Sequence, residues 1–114
     1  MNNSNIILRL KKTIIYIEKV LENFPRSEYI LKERITNSMY EILELSFDAY
    51  IDKENKNKII QKILTKMKML DFYLKNSFDK KAISHKNIKN ISINLRDITN
   101  LYYAWFNYKY EEKK

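Results

Sequence analysis

The chain contains no cysteine and no glycine, and Pro25 is its one proline. Without cysteine it can form neither a disulfide nor a thiolate metal site. Without glycine it lacks the residue that sheets and tight turns most often rely on, which argues for helices joined by short connections. No apolar run nears the roughly 18 residues of a membrane span. The polar start Met1-Asn-Asn-Ser-Asn lacks the basic n-region and small-residue cleavage site of a secretory signal. The expectation is therefore a cytoplasmic chain. Its 114 residues are enough for one hydrophobic core and one domain.

What the chain does have is four apolar stripes at helical spacing. Ile7, Leu10, Ile14, Ile17 and Leu21 form the first, with Ser4 or Asn5 as a cap. It stops before Phe24-Pro25, because the residue preceding proline is pushed out of the α region. Leu31, Ile35, Met39, Ile42, Leu45 and Ala49 form the second, with Ser27 placed to cap it. The third runs Ile60, Ile63, Met67, Leu70, Leu74, Phe78 behind Asp52, and the fourth Ile88, Ile91, Leu95, Ile98, Tyr102, Trp105 behind Ser84. The spacing predicts helices over about 5–23, 28–51, 54–80 and 85–110. Connections this short make sequential helices antiparallel. The predicted fold is all-α, an antiparallel up-down-up-down four-helix bundle.

Charge is uneven along the chain. The net charge is +8, but residues 25–52 carry −3 and residues 53–82 carry +6. A basic balance suits nucleic acid or another polyanion, and it also aids solubility. Part of the lysine excess accompanies a general richness in Lys, Asn and Ile and reads as composition. Lys58, Lys62 and Lys66 recur at i, i+4, i+8, a ladder that could track phosphates or simply a solvated face. Glu41, Glu44 and Asp48 line one face of the second helix. Carboxylate metal sites in bundles pair such acids with Glu-x-x-His. No such motif is present, and the single histidine, His85, opens another helix. These acids are expected to be solvated or paired with lysines of a neighbouring helix. No motif points to a metal, a cofactor or catalysis.

Residues 102–110 read YYAWFNYKY and hold six of the fifteen aromatic residues. On a helical wheel Tyr102, Tyr103, Trp105, Phe106, Tyr108 and Tyr110 spread over roughly 220°, more than the ~100° that one bundle seam needs. A second contact is implied, with another subunit or with nucleic-acid bases. Base-stacking platforms interleave aromatics with Arg or Lys, and only Lys109 interrupts here. That favours Tyr103, Phe106, Tyr108 and Tyr110 as an oligomer interface.

Two segments carry a family resemblance: FPRSEYILKERI, from Phe24 to Ile35, and LDFYLKNSFDKKAISHKNIKNISINLRDITNLYYAW, from Leu70 to Trp105. Pro25-Arg26 before the second helix, Leu70, Phe72, Leu74 and Lys75 in the third, the Ala82-Ile83-Ser84 turn and Trp105 near the end of the fourth are its landmarks. Together they resemble the Avd-like four-helix bundles, the accessory variability determinants of diversity-generating retroelements. These are related to bundle proteins encoded by intervening sequences of 23S ribosomal RNA genes. The chain departs from the pattern at Asn100, where the family has Arg, at Tyr103-Ala104, where it has small residues, and at Asp71, where it is basic.

The resemblance implies a ring of five bundles with a basic surface that binds nucleic acid and a reverse transcriptase. It implies a non-enzymatic accessory role while template RNA is copied into mutagenised cDNA. The expected phosphate contacts are Arg26, Arg34, Lys58, Lys62, Lys66, Lys75 and Arg96. The competing expectation is a homo-oligomeric structural or partner-docking bundle with no nucleic-acid role.

Overall fold

The computed structural model describes residues 4–109. They form an all-α four-helix bundle: α1 (Ser4–Leu21), α2 (Tyr29–Ile51), α3 (Lys56–Asp79) and α4 (His85–Asn107). No helix among the described residues is long and apolar enough to cross a membrane. α1 packs on α2 and α4, and α3 packs on the same two helices, so α1 and α3, like α2 and α4, are diagonal partners. The predicted stripes supply the core. The apolar stripe of α1, from Leu10 through Ile14 and Ile17 to Leu21, joins Ile35, Met39 and Ile42 of α2 and Ile60, Ile63 and Leu70 of α3. α4 adds Ile91, Leu95, Ile98, Tyr102 and Trp105.

Local signals decide where each helix starts and stops. Ser84 caps α4, its Oγ accepting from the Asn87 amide at 3.1 Å. Ser27 does not cap α2: it lies inside a 3₁₀ turn, Arg26–Glu28, that follows Pro25, and Glu28 takes the N-cap position without a side-chain bond. Asp52 does not cap α3 either. Its carboxylate accepts from the Asn55 amide (3.3 Å) and from Asn55 Nδ2 (2.8 Å), which holds the α2–α3 turn shut and delays the start of α3 to Lys56. The absence of glycine shows after α3. Lys81 adopts φ 61°, the left-handed conformation that usually falls to glycine at a helix end. The bonds from Ala82 N to Ser77 O and from Lys81 N to Phe78 O close the turn around it.

Three expected core residues lie further out, among them Ile88, which is only partly buried. The helical period carries the α3 stripe to Ser77, which is buried with its hydroxyl on the Tyr73 carbonyl, and Phe78 is exposed. In α2 the same drift buries Ser46 fully, while Leu45 is half-buried. Ser46 lies opposite Tyr102 across the diagonal of the bundle. Ser46 Oγ donates to the Ile42 carbonyl (2.7 Å), so its lone pairs are left to accept the Tyr102 hydroxyl at 2.6 Å. Both polar groups are thereby satisfied in the interior, where an unmade bond would cost about 1–3 kcal/mol.

α4 ends at Asn107, not at 110. Tyr108 is extended (φ −74°, ψ 128°) and its amide bonds the Trp105 carbonyl. A lysine explains the stop. Lys56, the first residue of α3, is 5% exposed, and its Nζ donates to the carbonyls of Trp105 and Tyr108, each at 2.6 Å. The last carbonyls of a helix lack intrahelical donors and form the negative end of its dipole. The antiparallel arrangement brings the cationic start of α3 to that end of α4.

Two outcomes follow. Burial holds the Tyr102 phenol up to about 12, against the partial opposition of the Ser46 hydrogen bond. The neutral phenol therefore stabilises the fold fully below pH 10, and that contribution is lost as pH rises towards 12. Urea midpoints measured across this range should fall more steeply for the wild type than for Tyr102→Phe; parallel curves would contradict the assignment. Lys56→Met should cost about 2 kcal/mol. It should also red-shift the fluorescence of Trp105, the one tryptophan; an unshifted spectrum would show that the end of α4 does not need the ammonium.

Candidate nucleic-acid interface

The cations expected to bind phosphate do not converge on one face. Lys58 and Lys62 are exposed on the outer side of α3 and make no ion pair among the described residues. Lys66 is rotated towards α2 and binds the Glu41 carboxylate. This is the acid–lysine pairing expected for the acidic face of α2, and it withdraws Lys66 from the ladder. Arg34 is exposed further along the same α2–α3 groove as Glu41 and Lys66, beside Tyr73. Arg26 stands on the 3₁₀ turn, at the end of the bundle that α3 leaves and α4 enters. Lys75 pairs with Asp71 one turn away at 2.8 Å, and this bond raises the lysine above its ordinary value.

A different set does converge. α3 and α4 leave a cleft of about 480 Å³ between them. Leu64, Met67 and Leu95 form its apolar floor, and Lys68, Asp71, Arg96, Asn100 and Tyr103 stand along its walls. The α4 contribution follows from helical geometry. Ser92, Arg96, Thr99 and Tyr103 recur at i, i+4, i+7 and i+11, so they share a face next to the core stripe. Lys68 and Asp71 share the facing side of α3 in the same way. Lys68 and Arg96 are exposed and form no ion pair among the described residues, while the Asp71 charge is answered by Lys75. The cleft therefore has a positive balance, a half-exposed aromatic ring and the amide of Asn100. A ring beside guanidinium and ammonium groups can stack a base while the cations meet phosphate.

Of the expected phosphate contacts, only Arg96 lines this cleft, and Lys75 borders it through Asp71. Lys68 was missed because it lies off the Lys58–Lys62–Lys66 ladder. The signal that could have found it was the wheel position it shares with Asp71 and Lys75.

The expected oligomer contacts also separate. Tyr103 is 47% exposed and sits in the cleft. Phe106 packs partly against the core. Tyr108 lies over Lys56, whose Nζ is 6.0 Å from the ring centre. Tyr110 falls outside the described residues. The wide arc of aromatics thus has internal causes for most of its members. Tyr102 and Trp105 stack on each other in the core, with ring centres 6.4 Å apart, and Tyr108 leaves the helix before the wheel can place it.

Among the described residues, no three His, Cys, Asp or Glu side chains cluster as a metal site requires. No protein-family model matches this chain. No curated protein is similar to it in sequence.

Proposed function

We propose that this protein is a non-enzymatic nucleic-acid-binding accessory bundle, acting in the cytoplasm, which holds RNA or cDNA along the α3–α4 face. The observation that carries this reading is the cleft in which Lys68 and Arg96, both without ion pairs among the described residues, flank the exposed ring of Tyr103. Lys58 and Lys62 add positive charge on the outer side of α3, off the cleft. The chemistry is backbone-directed: cations position phosphates, and one ring accepts a base of any identity. Asn100 adds one side chain able to read a base edge.

The resemblance to the Avd-like bundles supplies the biological setting. In that setting the bundle would bind the reverse transcriptase of a diversity-generating retroelement and present template RNA or nascent cDNA to it. Two departures from the family pattern, Asn100 and Tyr103, lie in the cleft itself, as does Asp71. In this reading Tyr103 replaces close helix approach with a stacking surface, and the positive charge lost at Asn100 is supplied one turn earlier by Arg96.

The test is binding to a single-stranded RNA over a salt series. Lys68→Glu with Arg96→Glu should weaken binding at least about tenfold at low salt and reduce the slope of log affinity against log salt by about two. Lys19→Glu, on α1, should change affinity less than about twofold. Wild-type protein that retains no RNA at any salt would leave the structural-bundle reading standing in place of this one.

A further inference from the structure

The α3–α4 cleft holds a negative charge that phosphate binding does not call for. Asp71 lines it together with Lys68 and Arg96, and a carboxylate beside a phosphate path repels what the two cations attract. Its ion pair with Lys75 does not explain the position. An exposed pair at i, i+4 contributes little and works equally well on a face away from the cleft. Lys75 occupies one oxygen, Oδ2, at 2.8 Å, and Oδ1 accepts from no side chain among the described residues. Asp71 thus offers the cleft an acceptor with one oxygen still open.

Its place along the cleft narrows what that oxygen can meet. Lys56 at the start of α3 reaches the last carbonyls of α4, and residues 80–84 join the other two ends. In this antiparallel register Asp71 stands level with Ser92, and Lys68 stands level with Arg96. Asn100 and Tyr103 lie towards the other end, with Tyr103 about 16 Å from Ser92 at the helical rise. The cleft therefore has a fixed order: a ring and an amide at one end, two cations in the middle, a carboxylate and a hydroxyl at the far end.

We propose, on the reading that nucleic acid lies in this cleft, that Asp71 makes it selective for RNA by accepting a hydrogen bond from a ribose 2′-hydroxyl. A base stacks on Tyr103, the phosphate that follows sits between Lys68 and Arg96, and the next ribose reaches Asp71 and Ser92. Phosphate oxygens and the sugar ring oxygen only accept hydrogen bonds, and so does an ionised carboxylate. Within the strand's backbone the one donor is the 2′-hydroxyl, which RNA has and DNA lacks. Bases carry donors too, but the ring that holds a base is at the opposite end of the cleft. A DNA strand on the same path strips water from Asp71 and returns no donor, a loss that falls on DNA alone.

Fluorescence anisotropy with labelled oligouridylate and oligodeoxyuridylate of equal length tests this, because the two strands differ only at the 2′ position. The wild type should bind the RNA strand at least about tenfold more tightly. A 2′-O-methyl strand, which keeps the oxygen but not the donor, should bind no better than DNA. Asp71→Ala should bring the two affinities within about twofold of each other. Asp71→Ala combined with Lys75→Ala should do the same at unchanged net charge, which separates the sugar contact from a general gain in phosphate attraction. Equal affinity of the wild type for both strands would overturn the assignment while leaving nucleic acid in the cleft. So would a preference for RNA that survives Asp71→Ala, or a 2′-O-methyl strand bound as tightly as RNA. Failure to bind either strand would remove the cleft reading itself, and the role of Asp71 with it.

Discussion

Tyr102 reaches across the bundle to Ser46, and Lys56 closes on the carbonyls of Trp105 and Tyr108. These two contacts fix the rotation of α4 about its own axis. An amphipathic helix held by apolar packing alone can turn by some tens of degrees at modest cost, because hydrophobic burial is non-directional. A hydrogen bond between buried groups does not allow this, since turning the helix would leave both partners unsatisfied. With Tyr102 pointed at the diagonal, the helix period leaves Arg96, Asn100 and Tyr103 no choice but the α3 side. The cleft is a consequence of where a serine and a lysine were placed in other helices.

The same rotation divides the molecule into two unlike faces. α3 is the most cationic helix and α2 is acidic, and they are packed together. Along that seam Glu41 takes up Lys66, which trims the cationic surface on one side. On the other side Asp71 is answered by Lys75, and Lys68 and Arg96 are left over. Lys68 and Arg96 therefore leave the α3–α4 cleft with a positive balance, while the opposite α1–α2 face carries large exposed apolar side chains. In the proposed reading the cleft meets a polyanion and leaves the α1–α2 face uncovered.

The fold was largely legible because the information it needs is local. Apolar residues every three or four positions are a direct record of a helix face, and Ser84 ahead of His85 is a direct record of a helix start. Ser27 and Asp52 misled because each found a closer use for its position: one in the turn after Pro25, the other in the Asn55 staple. The buried polar residues were not legible at all. Ser46 and Lys56 look like surface residues until partners from the α4 end of the chain, 56 and 49 residues away, arrive to satisfy them. The site was half legible for the same reason. Arg96 could be proposed from its charge, but Lys68 and Tyr103 acquire a role only when the relative rotation of two helices is known. The wheel failed at Tyr108 because it assumes that the helix continues.

The central claim is that nucleic acid meets the α3–α4 face of this bundle and leaves the α1–α2 face free. It is tested most directly by backbone amide NMR during titration with a short single-stranded RNA. The account predicts shifts concentrated at Lys68, Ser92, Arg96, Asn100 and Tyr103, with those of Leu8, Ile15 and Phe47 unmoved. Shifts centred on α1 and α2, or none anywhere along α3 and α4, would contradict it.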